Sequence, residues 1–127
     1  MNLAIVYTNK LFSVQERKVE KEGKKFIEYG VLYPEYVVII PFLNRETIIL
    51  ERQYRPVIKK YIYELPAGKM DPGVGALETA KRELHEETGY VAKKMRFMFK
   101  SYPSPGFTTA RSQELSTLWQ RSSTTQT

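Results

Sequence analysis

Residues 76–89, ALETAKRELHEETG, constrain the fold more than any other stretch of this chain. Leu77, Ala80 and Leu84 recur at helical spacing, Thr88 ends the pattern, and Gly89 stands where a left-handed C-terminal cap belongs. The chain enters this helix from PAGKMDPGVGA (66–76), whose three glycines and two prolines read as a loop. Short β-branched or aromatic runs surround the pair. LAIVYT (3–8), LFSVQERKV (11–19) and KFIEYGVLY (25–33) are separated by the turn material TNK and KEGK. YVVIIPFL (36–43) and TIILERQY (47–54) flank Asn44, Arg45 and Glu46, a spacing that predicts a hairpin of two largely buried strands. KYIYEL (60–65) and VAKKMRFMFK (91–100) read as further strands, and SYPSPGFTT (101–109) as a loop.

At 127 residues the chain has room for one domain with a real core, and its 42% hydrophobic and 27% charged residues are those of an ordinary globular protein. It has no cysteine, which excludes disulfides, thiolate chemistry and cysteine-type zinc sites, so any metal must sit on oxygen or on the single His85. Neither the five-residue apolar run in MNLAIVYTNK nor YVVIIPFL makes a signal peptide or a membrane span, and a cytoplasmic protein with no membrane partner is expected. The net charge of +6 is concentrated beyond residue 90, where six Lys or Arg face one acid, Glu114. Basic surfaces invite nucleic acid, but no helix-turn-helix, RNP or zinc-finger pattern is present, and a phosphorylated small molecule suits the charge as well.

Three carboxylates crowd into five helical positions. At about 100° per residue, Glu87 lies about 40° to one side of Glu83 and Glu86 about 60° to the other, while Leu77, Ala80 and Leu84 centre about 90° away. The carboxylates therefore flank the buried stripe and face a groove between helix and sheet. Such a cluster repels itself unless a cation relieves it, and Mg²⁺ (or Mn²⁺) takes a few carboxylate oxygens plus water and substrate phosphate. His85 projects about 200° from Glu83 and reads as a surface residue.

The pattern Gly68, five residues, Val74, seven residues, then Arg82-Glu83-Leu84-x-Glu86-Glu87-x-Gly89-Tyr90 resembles the box of the Nudix hydrolases. ERQYRP (51–56), ELPAGKMDPG (64–73) and YPSPGFTT (102–109) look like the ADP-ribose pyrophosphatase branch, with Pro105 sixteen residues after Gly89 as that branch typically has it. The resemblance implies an α/β fold, a Nudix-type α/β/α sandwich with a mixed sheet, preceded by an N-terminal antiparallel β-region and lacking the final C-terminal helix. It implies one Nudix domain over 1–127, with residues 1–35 as the β-region, 36–110 as the core carrying the box at 68–90, and 111–127 as an atypical tail. The implied activity is metal-dependent hydrolysis of the pyrophosphate bond of ADP-ribose or a related nucleoside diphosphate sugar. Glu83, Glu86, Glu87 and the main-chain carbonyl of Ala67 would hold Mg²⁺ or Mn²⁺, Arg82 would orient the glutamates, and Arg55 and Pro105 would meet the substrate.

Two departures qualify this. Val74 stands where the family's box has its first glutamate, so the loop is expected to be held less firmly to Arg82. The resemblance also ends near residue 109, whereas members of this branch continue with further sheet, a helix and a loop glutamate often assigned as general base. Here Glu114 is the one acid after the box. If residues 111–127 do not replace the family's C-terminal part, their Ser, Thr and Gln predict loose packing, anchored by Leu115, Leu118 and Trp119. The alternatives are a Nudix hydrolase of other nucleoside diphosphate derivatives, such as dinucleoside polyphosphates, or a catalytically weak nucleotide-binding protein. That branch commonly dimerises through its N-terminal strands, which implies a homodimer.

Overall fold

A computed structural model of the chain describes residues 3–118; Trp119, one of the three expected tail anchors, lies outside them. The described residues gather into two compact units, residues 3–35 with 101–112 and residues 36–100 with 113–118.

In the first unit, β1 (Leu3–Thr8), β2 (Ser13–Lys21) and β3 (Lys24–Leu32) form an antiparallel sheet in chain order. Asn9 Oδ1 accepts from the N–H groups of Leu11 and Phe12 (2.7 and 2.8 Å), a side-chain substitute for a backbone turn. Glu22 and Gly23 take φ of 53° and 74°, the two-residue turn whose twist matches paired antiparallel strands. The 102–109 loop is stitched to β3, with Val31 N–H donating to the Phe107 carbonyl (2.7 Å) and Thr109 N–H donating to the Val31 carbonyl (2.9 Å). The three N-terminal strands expected from sequence are thus present, with ends shifted by a few residues.

In the second unit, β4 (Tyr36–Ile40), β7 (Ala67–Lys69), β8 (Met95–Ser101) and β9 (Ser112–Thr117) form a sheet in the order β7-β4-β9-β8. It carries α1 (Ala76–Thr88), and a separate hairpin joins β5 (Glu51–Arg55) to β6 (Lys60–Glu64). The core is Val37 and Ile39 of β4, Ala80 and Leu84 of α1, Met95 of β8, Leu115 of β9, and Ala92. β4 and β7 are antiparallel. The Thr117 hydroxyl accepts from Phe42 N–H (2.6 Å) and donates to the Phe42 carbonyl (3.1 Å), which ties the ends of β4 and β9 together and aligns these two strands in one direction. The sheet is therefore mixed, as expected.

The helix ends where Gly89 predicts: its φ is 78°, and its N–H donates to the His85 carbonyl at 2.9 Å. Its buried face differs from the expected one. Leu77 is 45% exposed, and Thr79 is buried in its place, its hydroxyl donating to the Gly75 carbonyl.

Three further expectations are corrected. Among the described residues α1 is the one helix, so they form a sheet with a single helical layer and lack the second layer of an α/β/α sandwich. The hairpin predicted across Asn44–Glu46 shrinks to one bridge, Phe42 to Ile48, and β5 pairs forward with β6 instead. Pro41 has no N–H to continue the ladder, and the β5 residues beyond Glu51 are exposed. Finally, residues 112–117 are not loosely packed: they form an inner strand whose residues are mostly buried, Leu115 at 1% exposure.

Candidate active site

The helix and the strand before it meet at glycine. The Glu83 side chain crosses Gly68 so closely that a Cβ there would overlap its carboxyl group, which makes Gly68 a cradle only a residue without a side chain can form. The shifted helix face explains the direction. With Thr79 about 40° to one side of Glu83 and Ala80 about 60° to the other, Glu83 lies inside the buried arc, not beside it. Its side chain is only 16% exposed, against 59% for Glu86.

Glu87, one turn on, returns to the same turn of chain: its Oε2 accepts from Ala67 N–H at 3.2 Å. Although Glu87 as a residue is exposed, its carboxyl end is partly withdrawn from solvent, and the carboxyl of Glu51 on β5 acts on it. Loss of solvent first, then the Glu51 hydrogen bond and charge, push its pKa up to about 8 against the opposing pull of the Ala67 N–H.

Arg82 spans the cluster. It reaches Asp71 Oδ2 and Glu83 Oε1, both at 3.3 Å, and Glu86 Oε1 at 3.8 Å. Asp71, in the loop, thus gives Arg82 an acidic partner on the segment where Val74 offers none; Val74 itself is half-buried, with its N–H donating to the Asp71 carbonyl. His85 is exposed, as its helical phase predicts. Arg55 forms three hydrogen bonds of 2.9 to 3.1 Å with the carboxylate of Glu64, the residue at the far end of β6 that pairs with Glu51.

Pro105 belongs to the first unit, where it lines a cavity of about 460 Å³ with Tyr33, Glu35, Tyr102, Thr108 and Arg111. Arg111 donates to Glu35 there at 2.7 Å. Glu114, considered from sequence as a stand-in base, is buried on β9.

Sequence reasoning missed Glu51, Gln53, Glu64 and Asp71. The alternation of Glu51, Gln53 and Arg55 along one strand face was the available signal for the first two.

Among the described residues, no three acidic or imidazole groups are drawn close enough to form a ready cage for an ion. Mg²⁺ does not need one, because it keeps several waters and binds through one or two carboxylates. The donor set suits it: oxygen ligands, like charges held together, and a glycine cradle that brings Glu83 onto the turn bearing Ala67.

A helix with this carboxylate face, seated on a Gly-containing strand of a mixed sheet, is the arrangement of a defined family, and the chain belongs to it: residues 32–126 match the NUDIX domain. Among its relatives, the ADP-ribose pyrophosphatase of Bacillus subtilis (strain 168) is 36% identical over 103 residues, 80% of this chain and 56% of that protein. The methanol dehydrogenase activator of Bacillus methanolicus is 35% identical over the same shares of the two chains. A crystal structure of ADP compounds hydrolase superposes with a TM-score of 0.81 at 25% identity, covering 98% of this chain and 72% of that one. The chain spans a little over half the length of the curated relatives it matches. Among the described residues, no helix is long and apolar enough to cross a membrane.

Proposed function

We propose that the protein hydrolyses the pyrophosphate bond of ADP-ribose or a related nucleoside diphosphate sugar, giving AMP and ribose 5-phosphate when ADP-ribose is the substrate. The observation that carries this is the junction of α1 with the LPAG turn, where Glu83 lies over Gly68 and Glu87 holds Ala67 N–H. Mg²⁺ or Mn²⁺, when bound, supplies Lewis acidity and neutralises charge on the phosphates. Glu83 and Glu87 are the principal ligands, Glu86 and the Ala67 carbonyl add to them, and Arg82 keeps Glu83 oriented through the contacts it makes on both sides. Arg55 presents its guanidinium to a substrate phosphate while Glu64 fixes its plane. Pro105 shapes the substrate side of the cavity it lines. The relatives named for ADP-ribose and ADP compounds support this choice of substrate.

The exposed apolar residues of the first-unit sheet, Leu3, Ile5 and Tyr7 among them, favour a homodimer formed through these strands. The test of function is a turnover screen with Mg²⁺ or Mn²⁺ over ADP-ribose, other nucleoside diphosphate sugars and dinucleoside polyphosphates. Release of AMP and ribose 5-phosphate from ADP-ribose is expected. Turnover of dinucleoside polyphosphates alone would move the substrate class, and nucleotide binding without turnover of any compound would make the protein a silent binder.

A further inference from the structure

The segment from Gly68 to Glu83 leaves the sheet on β7, turns, and returns along α1, and its two ends are joined twice. Glu83 lies over Gly68, and Arg82 beside it reaches back to Asp71, its Nη1 donating to Oδ2 at 3.3 Å. Asp71 is held from both sides. Before it, Met70 packs against the hydrophobic core. After it, Asp71-Pro72-Gly73-Val74 has the pattern of a type II turn: the Pro72 ring fixes its own φ, Gly73 takes φ of 78°, and Val74 N–H donates to the Asp71 carbonyl at 3.1 Å. From the sequence, Val74 leaves this loop less firmly tied to Arg82; the structure supplies the tie from Asp71.

The helix by itself does not direct Arg82 to Glu83. Neighbouring helical residues point about 100° apart, and the favoured partner of Arg82 on its own helix is Glu86, at i,i+4. Yet only the Nε edge of the guanidinium is left to Glu86, at 3.8 Å, while Nη2 donates to Glu83 Oε1 at 3.3 Å and Nη1 to Asp71. Of these three acids, Asp71 is the one that lies off the helix. We infer that Asp71 is a positioning residue for the hydrolytic reaction, acting through Arg82 to keep the Glu83 carboxylate in place over Gly68; this rests on the function proposed above. A pair as exposed as Asp71 and Arg82 adds little to stability. Its effect falls on direction instead. A guanidinium gripped by an acid outside the helix keeps one plane, and the Glu83 oxygen that accepts from it keeps one position. Without Asp71, Arg82 relaxes toward Glu86 and Glu83 loses that constraint.

The test compares the parent with Asp71→Ala, Asp71→Glu, Glu83→Gln and the combination of Asp71→Ala with Glu83→Gln. Two quantities are followed: hydrolysis of ADP-ribose at saturating Mg²⁺, and, in EDTA, exchange of the Arg82 side-chain N–H groups with water by NMR of ¹⁵N-labelled protein. Asp71→Ala should lower kcat by about tenfold with KM unchanged, because a small misplacement of a catalytic group is felt in the transition state. Asp71→Glu, which returns the carboxylate, should recover most of that loss. On the Glu83→Gln background the Ala substitution should add little, since the group it positions is gone. In the metal-free protein, the Arg82 N–H groups should exchange faster in Asp71→Ala than in the parent, with little change in melting temperature. Parent-like kcat or parent-like exchange in Asp71→Ala, a loss of equal size on both backgrounds, or a change confined to KM would overturn the role of Asp71 and leave the proposed function standing. No hydrolysis by the parent would overturn both.

Discussion

Helix α1 and the β5–β6 hairpin both carry acidic groups, but they hold them by different means. On the helix, which packs on β4 and β7, Leu84 and Ala80 are fully buried in the core, so the direction of Glu83 follows from core packing. On the hairpin, every β5 residue beyond Glu51 is exposed, and the carboxylate of Glu64 is held by hydrogen bonds from Arg55. Packing fixes a direction at the cost of adjustability, because interiors tolerate little movement. Hydrogen bonds at a surface fix it less firmly and can be remade as a ligand arrives. The helix is therefore a rigid wall and the hairpin a compliant one.

The largest effect should come from the rigid wall. Glu83→Gln and Glu87→Gln are each expected to lower turnover by about a hundredfold or more, since each removes a charged ligand from the reacting centre. Thermal unfolding should change little, and rates within a few-fold of the parent at saturating Mg²⁺ would take these residues out of the site. Gly68→Ala probes the same wall without touching a carboxylate. The new methyl group displaces only the end of the Glu83 side chain, so the fold should survive while turnover falls by about tenfold or more, as small misplacements of catalytic groups do. Unchanged kinetics in a folded Gly68→Ala protein would show that the position of Glu83 is not exacting.

The junction of the two walls should be visible in pH. Glu87 holds its proton up to about pH 8 in the folded, metal-free protein, against an ordinary value of 4.5. Between these values the folded state binds more protons than the unfolded one, so this group makes stability fall as pH rises through the window. Melting in EDTA across that range should decline more steeply for the parent than for Glu87→Gln, and parallel profiles would mean that Glu87 does not hold its proton. The smallest effect belongs to Val74→Glu. Arg82 already has Asp71 and Glu83, its side chain is partly exposed, and a further surface carboxylate is expected to add less than about 1 kcal/mol to chemically measured stability. A clear loss would instead show that half-buried Val74 contributes packing.

Much of the rigid wall was legible in the order of residues. The helix, its glycine cap and the turns at Asn9 and Gly23 depend on contacts within a few positions, and such contacts leave periodicity and turn chemistry that a sequence displays directly, whereas residues 67–69 of the expected loop are drawn into strand β7 by pairing with β4. Family membership belongs here too, because RELHEETG and its distance from Gly68 are themselves sequence. Where the chain chose between distant partners, the residues did not announce the outcome. The run 47–54 had apolar residues enough for a buried strand beside β4, yet Pro41 removed a donor and β6 took its place. SQELST shows little strand character, but β4 and β8 flank it on both sides, and Ser112, Leu115, Ser116 and Thr117 are all buried there. Thr79 instead of Leu77 faces the sheet, which turns Glu83 inward onto Gly68, and Glu87 meets Ala67 across 20 positions of chain. Local propensity therefore determined the helix and its motif, while pairing and burial, which depend on what each segment meets across the fold, decided where its carboxylates point and which other residues join them.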